Sequence, residues 1–210
     1  MSSSALRPGK IVCVGRNYVA HARELGNEVP ERPLLFLKPP SSVVGAGEAI
    51  VLPPDSAQVE YEGEIGVVVG TRLRHADEAT ARRAIRGIVA VNDVTARDLQ
   101  RSDGQWTRAK GFDSFCPVGP EAAAPGDLGA LEVVTRVNGA ERQRGRASEM
   151  AFSIPFLLAY VSRIMTLEPG DVLATGTPAG VGALTPGDEV EVEVVGLSAV
   201  RNPVVAEAGV

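Results

Sequence analysis

Apolar residues in this chain arrive in short runs, and that spacing confines it to a strand-built fold. "KIVCV", "PLLFL", "EAIVL", "EIGVVV" and "GIVAVND" are each bounded by Gly, Pro or charged residues, the length and punctuation of strands rather than buried helices. Two segments have helical character. "HADEATARRAIRG" is opened by Asp77 and closed by Gly87, and "FSIPFLLAYVSRIMTLEPGD" offers Ser153 as N-cap with Pro155 in the first turn. "LEVVTRVNGAERQRG" predicts a hairpin about Asn138-Gly139. Pro-Gly-Asp recurs at 125, 169 and 186, each time as a turn between elements. The tail "DEVEVEVVG" alternates strictly, as an antiparallel strand with one wet face does. Strands outnumber helices and do not alternate regularly with them. The expected fold class is therefore α+β and strand-rich, not a doubly wound nucleotide fold. With no long linker or repeat, residues 1–210 read as one domain, residues 1–9 forming a loose N-terminal extension.

Composition excludes several functions. A net charge of −5 without any basic block argues against nucleic acid or an anionic membrane surface as partner. The opening "MSSSALRPGK" has no apolar core of a secretion signal. No run approaches the roughly 20 apolar residues of a membrane span. Cys13 and Cys116 stand alone, which fits a reducing compartment. The expectation is a cytoplasmic protein. Lysine occurs only at 10, 38 and 110 in a chain that otherwise uses arginine, so a retained lysine can mark a need for a compact ammonium.

"VEYEGEIGVVVG" (59–70) sets Glu60, Glu62 and Glu64 at every second position. In a strand, alternate side chains share a face roughly 7 Å apart, where each carboxylate raises the cost of ionising the next. Two readings are open: a solvated outer face, or a bound cation. Asp93 ends the apolar run "GIVAVND" and could add a third hard oxygen ligand, a set suited to Mg²⁺ or Mn²⁺. Zinc fits poorly, because the chain has two histidines and two isolated cysteines. "GRNYVAHAREL" sets His21 and Glu24 three residues apart, close enough on a helix for a carboxylate to orient an imidazole. A chance surface pair has the same spacing. "TGTPAGVG" (175–182) lacks the Gly-Lys-Ser/Thr of a phosphate loop. It is either a tight turn needing positive φ or a loop whose amides and Thr177 hydroxyl hold a carboxylate. "NDVTARDLQ" and "TRAKGFDSFCP" surround Asp93 and Lys110 with further polar groups.

Taken in order, "VGRNYVAHARELG", "FLKPPSSVVG", "YEGEIGVVVG", "VNDVTARDLQ", "TRAKGFDSFCPVGP", "SIPFLLAYVSRIMTLEPGD" and "TGTPAGVG" resemble the fumarylacetoacetate hydrolase family in its short single-domain form. The resemblance implies a mixed β-sandwich roll assembled as a homodimer or higher oligomer. It implies Glu62, Glu64 and Asp93 as Mg²⁺ ligands, Mn²⁺ or Ca²⁺ serving as substitutes, and leaves Glu60 outside the set. It further implies His21 and Glu24 as a water-activating pair on a segment able to close as a lid, Lys110 as the active-site lysine, and Gln100, Thr177 and Arg16 in contact with substrate. The implied activity is hydrolytic C–C cleavage of a 1,3-dicarbonyl acid such as an acylpyruvate or fumarylpyruvate. The same machinery could instead decarboxylate oxaloacetate, or isomerise or decarboxylate a 2-hydroxy-diene-dioate of aromatic catabolism. A non-catalytic metal-binding module is the alternative from another class.

Overall fold

The computed structural model describes residues 6–19 and 30–208. Its largest sheet runs in the order β10 (Ala122–Ala123), β7 (Ile85–Asn92), β6 (Gly63–Val69), β13 (Val172–Ala174), β1 (Ile11–Gly15) and β2 (Leu34–Lys38). A second orders β12 (Ala140–Arg146), β11 (Glu132–Val137), β15 (Glu189–Val194), β16 (Ser198–Ala206) and β4 (Ile50–Leu52). Two small sheets complete the set: β14 (Gly182–Ala183) with β5 (Val59–Tyr61) and β8 (Thr95–Ala96), and β3 (Val43–Val44) with β9 (Cys116–Pro117). Pairing is mixed: β1 lies parallel to β13 and antiparallel to β2. The architecture is the strand-rich α+β fold that the short apolar runs predict.

The two large sheets pack face to face through β6 and β7 against β11, β15 and β16. Val12, Val14, Ile65 and Val67 meet Val192, Val194 and Val200 in one cluster, together with Leu157 and Val161. On the opposite face Cys13, Val68, Val89, Val91 and Cys116 form another. β6 is therefore buried on both sides, which accounts for its continuous apolar stretch "GVVV". Both cysteines are free thiols in this core, and burial pushes Cys116 up to about 12. No helix among the described residues is long and apolar enough to cross a membrane.

Local signals place the ends of most elements. Asn138 and Gly139 both take positive φ, 53° and 77°, as a two-residue type I′ hairpin requires, and join β11 to β12. Gly170 and Gly187, in two of the three Pro-Gly-Asp turns, are also left-handed, at 92° and 96°. The following aspartate closes each turn by accepting an amide proton from three residues back, Glu168 to Asp171 and Thr185 to Asp188, both at 2.7 Å. Helix α1 (Glu78–Arg83) is capped by Asp77, which accepts from the Thr80 amide. Two short helices, α2 (Arg97–Ser102) and α3 (Thr107–Gly111), follow β8. Helix α4 (Ile154–Ile164) is capped by Ser153 and packs against α1.

Two sequence expectations are corrected. The first helix ends at Arg83, and Gly87 lies inside β7 rather than closing the helix. The β-branched Ile85, Ile88 and Val89 favour the strand, and a Cβ at Gly87 would lie 2.5 Å from Glu121 Cγ on the adjoining segment. Residues 59–69 also do not form one strand. β5 stops at Tyr61, β6 starts at Gly63, and the chain changes sheets at Glu62. At Gly63 the second sheet comes so close that a Cβ there would stand 1.9 Å from Thr135 Oγ1. Overpacking of this kind costs about 1–3 kcal/mol. Gly63→Ala is expected to lose at least that much in urea unfolding, and unchanged stability would contradict the packing described.

Candidate metal centre and active-site pocket

The sheet change at Glu62 turns three carboxylates toward one another. Glu62 stands between β5 and β6, Glu64 is the second residue of β6, and Asp93 follows the end of β7. Backbone bonds fix the pair of strand ends: the Asp93 amide donates to Glu62 O at 2.8 Å, and the Glu62 amide donates to Asn92 Oδ1 at 3.0 Å. One oxygen from each of Glu62, Glu64 and Asp93 lies within 4.8 Å of the others. These side chains are buried, with relative exposures of 6%, 2% and 0%. A solvated face is thereby excluded for the alternating glutamates.

Three cations share the site. Lys110, on α3, donates to Glu62 Oε2 at 2.9 Å and to Asp93 Oδ2 at 2.6 Å, with Nζ 4.8 Å from the Phe36 ring centre. Lys38, the last residue of β2, donates to the other Asp93 oxygen at 2.7 Å and to Val94 O at 3.0 Å. Arg97, opening α2, donates to Glu60 at 2.8 Å, Glu62 at 2.6 Å and Gln100 Oε1 at 2.6 Å. Glu60 is thus held by Arg97 and by Gln58 and stays outside the convergent trio. Burial works against the Lys110 ammonium, but Asp93 and Glu62 outweigh it and hold its pKa above the ordinary lysine range. Glu64 has no such cationic partner among the described residues. Burial, followed by repulsion from Asp93 and Glu62, pushes its carboxyl well above the usual range, opposed in part by the Lys110 charge and by the Gly176 amide donating at 2.7 Å.

This balance fits a divalent cation. With the Glu64 proton displaced, Glu60, Glu62, Glu64 and Asp93 exceed the cations bonded to them, Lys38, Lys110 and Arg97, by one negative charge. A divalent ion would turn that excess to one positive charge, suited to an anionic substrate. Three hard carboxylate oxygens are the donor type that Mg²⁺ and Mn²⁺ prefer.

The trio opens into a pocket of about 440 Å³ that also contains Arg16, Gln100, Lys110 and Thr177. Seven of the nine residues singled out from sequence are therefore brought to one place; His21 and Glu24 lie outside the described residues. Arg16 has φ 59°, a left-handed backbone that costs a non-glycine residue about 1–3 kcal/mol and tends to persist at functional sites. The Gln100 carbonyl oxygen accepts from Arg97, and its amide nitrogen has no hydrogen-bond partner among the described residues. The Thr177 hydroxyl donates to Gly63 O at 2.9 Å and accepts from Gln143 Nε2 at 2.7 Å, so it fastens the glycine loop to β6 while lining the pocket. Phe36 and Trp106, edge to face at 5.3 Å between ring centres, supply an apolar wall. Sequence reasoning missed Lys38, Arg97 and Gln143. Only Lys38 carried a signal, the scarcity of lysine.

Residues 10–205 match the profile of the fumarylacetoacetate (FAA) hydrolase C-terminal family. The mitochondrial oxaloacetate tautomerase of Arabidopsis thaliana is 44% identical over 91% of this chain and 89% of its own length. A human mitochondrial oxaloacetate tautomerase is 42% identical over 95% of this chain and 67% of its own. Among solved structures, 5-carboxymethyl-2-hydroxymuconate delta-isomerase from Mycobacterium smegmatis superposes with a TM-score of 0.90. It shares 45% identity, and the match covers 97% of this chain and 81% of that one. 2-Hydroxyhepta-2,4-diene-1,7-dioate isomerase from Mycobacterium marinum gives 0.89 at 43% identity, covering 97% and 77%.

Proposed function

Because the chain belongs to the fumarylacetoacetate hydrolase family, we propose that it is a divalent-metal enzyme that enolises a small 2-oxo diacid, as a keto–enol tautomerase or isomerase. The observation that carries this is the convergence of Glu62, Glu64 and Asp93 beside the Lys110 ammonium in a pocket of small-molecule size. Bound Mg²⁺ or Mn²⁺, held by those three carboxylates, would supply Lewis-acid polarisation of a substrate oxygen. Lys110 neutralises negative charge developing on the substrate as a proton leaves carbon. Its raised pKa keeps it an ammonium, a donor and not the base. The sequence offers His21, oriented by Glu24, as the group that takes the proton. Arg16 and the Gln100 amide, which line the pocket, bind a substrate carboxylate, and Phe36 with Trp106 limits water.

The choice of proton transfer over bond cleavage is supported by the relatives' names. Oxaloacetate and 2-hydroxyhepta-2,4-diene-1,7-dioate are both diacids with oxygen at C2, and relocating a proton is common to a tautomerase and these isomerases. Hydrolytic cleavage of an acylpyruvate or fumarylpyruvate is the alternative, favoured by the His21 and Glu24 spacing, since hydrolysis needs an activated water. Assembly as a homodimer belongs to the same proposal. Exposed Leu34, Leu37 and Ile164 near the β2 edge offer apolar surface for it.

Enol oxaloacetate, whose ultraviolet absorbance is lost on ketonisation, tests the choice against an acylpyruvate in one Mg²⁺-loaded preparation. The expected result is accelerated ketonisation, with acylpyruvate cleavage at least about tenfold slower. Cleavage of the acylpyruvate without any effect on ketonisation would make the protein a hydrolase.

A further inference from the structure

Gly63 is the single residue between two of the proposed ligands, and both of its backbone polar groups are engaged by side chains. Its amide donates to Gln143 Oε1 at 2.9 Å, and its carbonyl accepts from Thr177 Oγ1 at 2.9 Å. Thr177 Oγ1 in turn accepts from Gln143 Nε2 at 2.7 Å. The three bonds close a ring. The remaining Gln143 proton goes to Pro178 O at 2.8 Å. Gln143 is 1% exposed and reaches this point from β12, on the second large sheet.

The chemistry of the ring calls for an amide. It needs one acceptor and two donors in a fixed plane, which glutamine supplies and glutamate does not. The orientation of that amide is also determined, because the Gly63 N–H requires an acceptor and Pro178 O requires a donor. Glycine at 63 belongs to the same arrangement, since a Cβ there would lie 3.3 Å from Gln143 Oε1 as well as against Thr135. The loop fastened by Gln143 also carries Gly176, whose amide donates to Glu64 Oε2 at 2.7 Å. Displacement of the loop would therefore move a carboxylate as well as the peptide joining Glu62 to Glu64.

Resting on the metal site proposed above, we infer that Gln143 is a positioning residue that sets the relative placement of the Glu62 and Glu64 carboxylates. It touches neither carboxylate, and acts through the Gly63 peptide and the 176–178 loop. Residues that orient metal ligands from behind typically account for about 10- to 100-fold in metal affinity. A residue that only packed two sheets together would change thermal stability and leave metal affinity alone.

The test is Mn²⁺ titration of the whole protein, followed by electron paramagnetic resonance, beside a thermal unfolding scan. Gln143→Met keeps similar volume and removes every polar contact. It is expected to raise the Mn²⁺ dissociation constant about 10- to 100-fold while remaining folded at 25 °C. Thr177→Val opens the same ring from the other side and should act in the same direction, with Thr177→Ser restoring affinity. In the double variant the two effects should fall well short of multiplying, as expected for partners in one network. Affinity within about twofold of wild type in folded Gln143→Met would overturn the inference, whatever happens to the melting temperature. Should Gln143→Met fail to fold, Thr177→Val against Thr177→Ser decides by the same criterion. Wild type that binds no Mn²⁺ would refute the metal site itself, and the inference with it.

Discussion

Asp93→Ala is expected to cost the metal-free protein about 3–5 kcal/mol, a large part of the 5–15 kcal/mol typical of a domain. Asp93 is wholly buried, and each of its oxygens accepts from a buried ammonium, Lys38 at 2.7 Å and Lys110 at 2.6 Å. Among the described residues, its removal leaves Lys38 with Val94 O alone and takes one of two carboxylates from Lys110. A charge left without its partner in the interior is the expensive outcome. Glu64→Gln should behave differently. Its carboxyl accepts from no ammonium among the described residues, and burial with repulsion from Asp93 and Glu62 raises its pKa against the opposing Lys110 charge. A raised carboxyl pKa means that the folded state binds its proton more tightly than the unfolded state does. Stability is then lost as pH rises above the unfolded value. A neutral amide removes that penalty, and its carbonyl can still accept from Gly176. In urea unfolding near neutral pH, without divalent ions, Glu64→Gln should match or exceed wild type while Asp93→Ala falls far below it. Equal stability for the two variants would contradict the charge arrangement.

Lys110→Met should leave a folded protein with turnover reduced about 10²- to 10³-fold, the range seen when one donor to a developing oxyanion is removed. Lys110 is 1% exposed and is the only ammonium that both touches the trio and lines the pocket among the described residues. Lys38 reaches Asp93 but is not among the pocket-lining residues, so it cannot take over the role. Arginine should not rescue, because its planar fork is longer than the space between Phe36 and the carboxylates was shaped for. Steady-state kinetics on enol oxaloacetate would check this. Turnover near wild type in Lys110→Met would reduce the lysine to a structural counter-ion.

Local chemistry was readable in the sequence wherever it acts over a few residues. Asn138-Gly139 specifies a turn by its own φ preference, Ser153 caps its helix from one position away, and the short apolar runs could only be strands. The carboxylate trio was visible as a spacing, but whether that face was wet or buried was not. Burial depends on Lys38, Arg97, Lys110 and Gly176, which close over the trio from β2, α2, α3 and the 175–182 loop. The boundary at Gly87 was misjudged because a glycine after a helical pattern resembles a stop, and only the neighbouring Glu121 segment makes it a strand position. Glu62 between two strands looked like the middle of one, since the change of sheet is decided by which partners are available. Lys38, Arg97 and Gln143 meet Asp93, Glu62 and Gly63 across 55, 35 and 80 residues. No local rule pairs residues so far apart. The family resemblance did better than spacing here, because it separated Glu60 from Glu62 and Glu64, which periodicity treats alike.

Mn²⁺ titration of wild type and Glu64→Gln, monitored by the loss of the free-ion resonance signal, tests the central claim most directly. Glu64→Gln removes one ligand charge from a protein expected to be folded and at least as stable, so a change in binding is attributable to the site. The account predicts one tightly bound Mn²⁺ per wild-type chain, displaced by Mg²⁺, and binding weakened by at least about tenfold in the variant. Equal Mn²⁺ binding by the two proteins, or none by wild type, would contradict it.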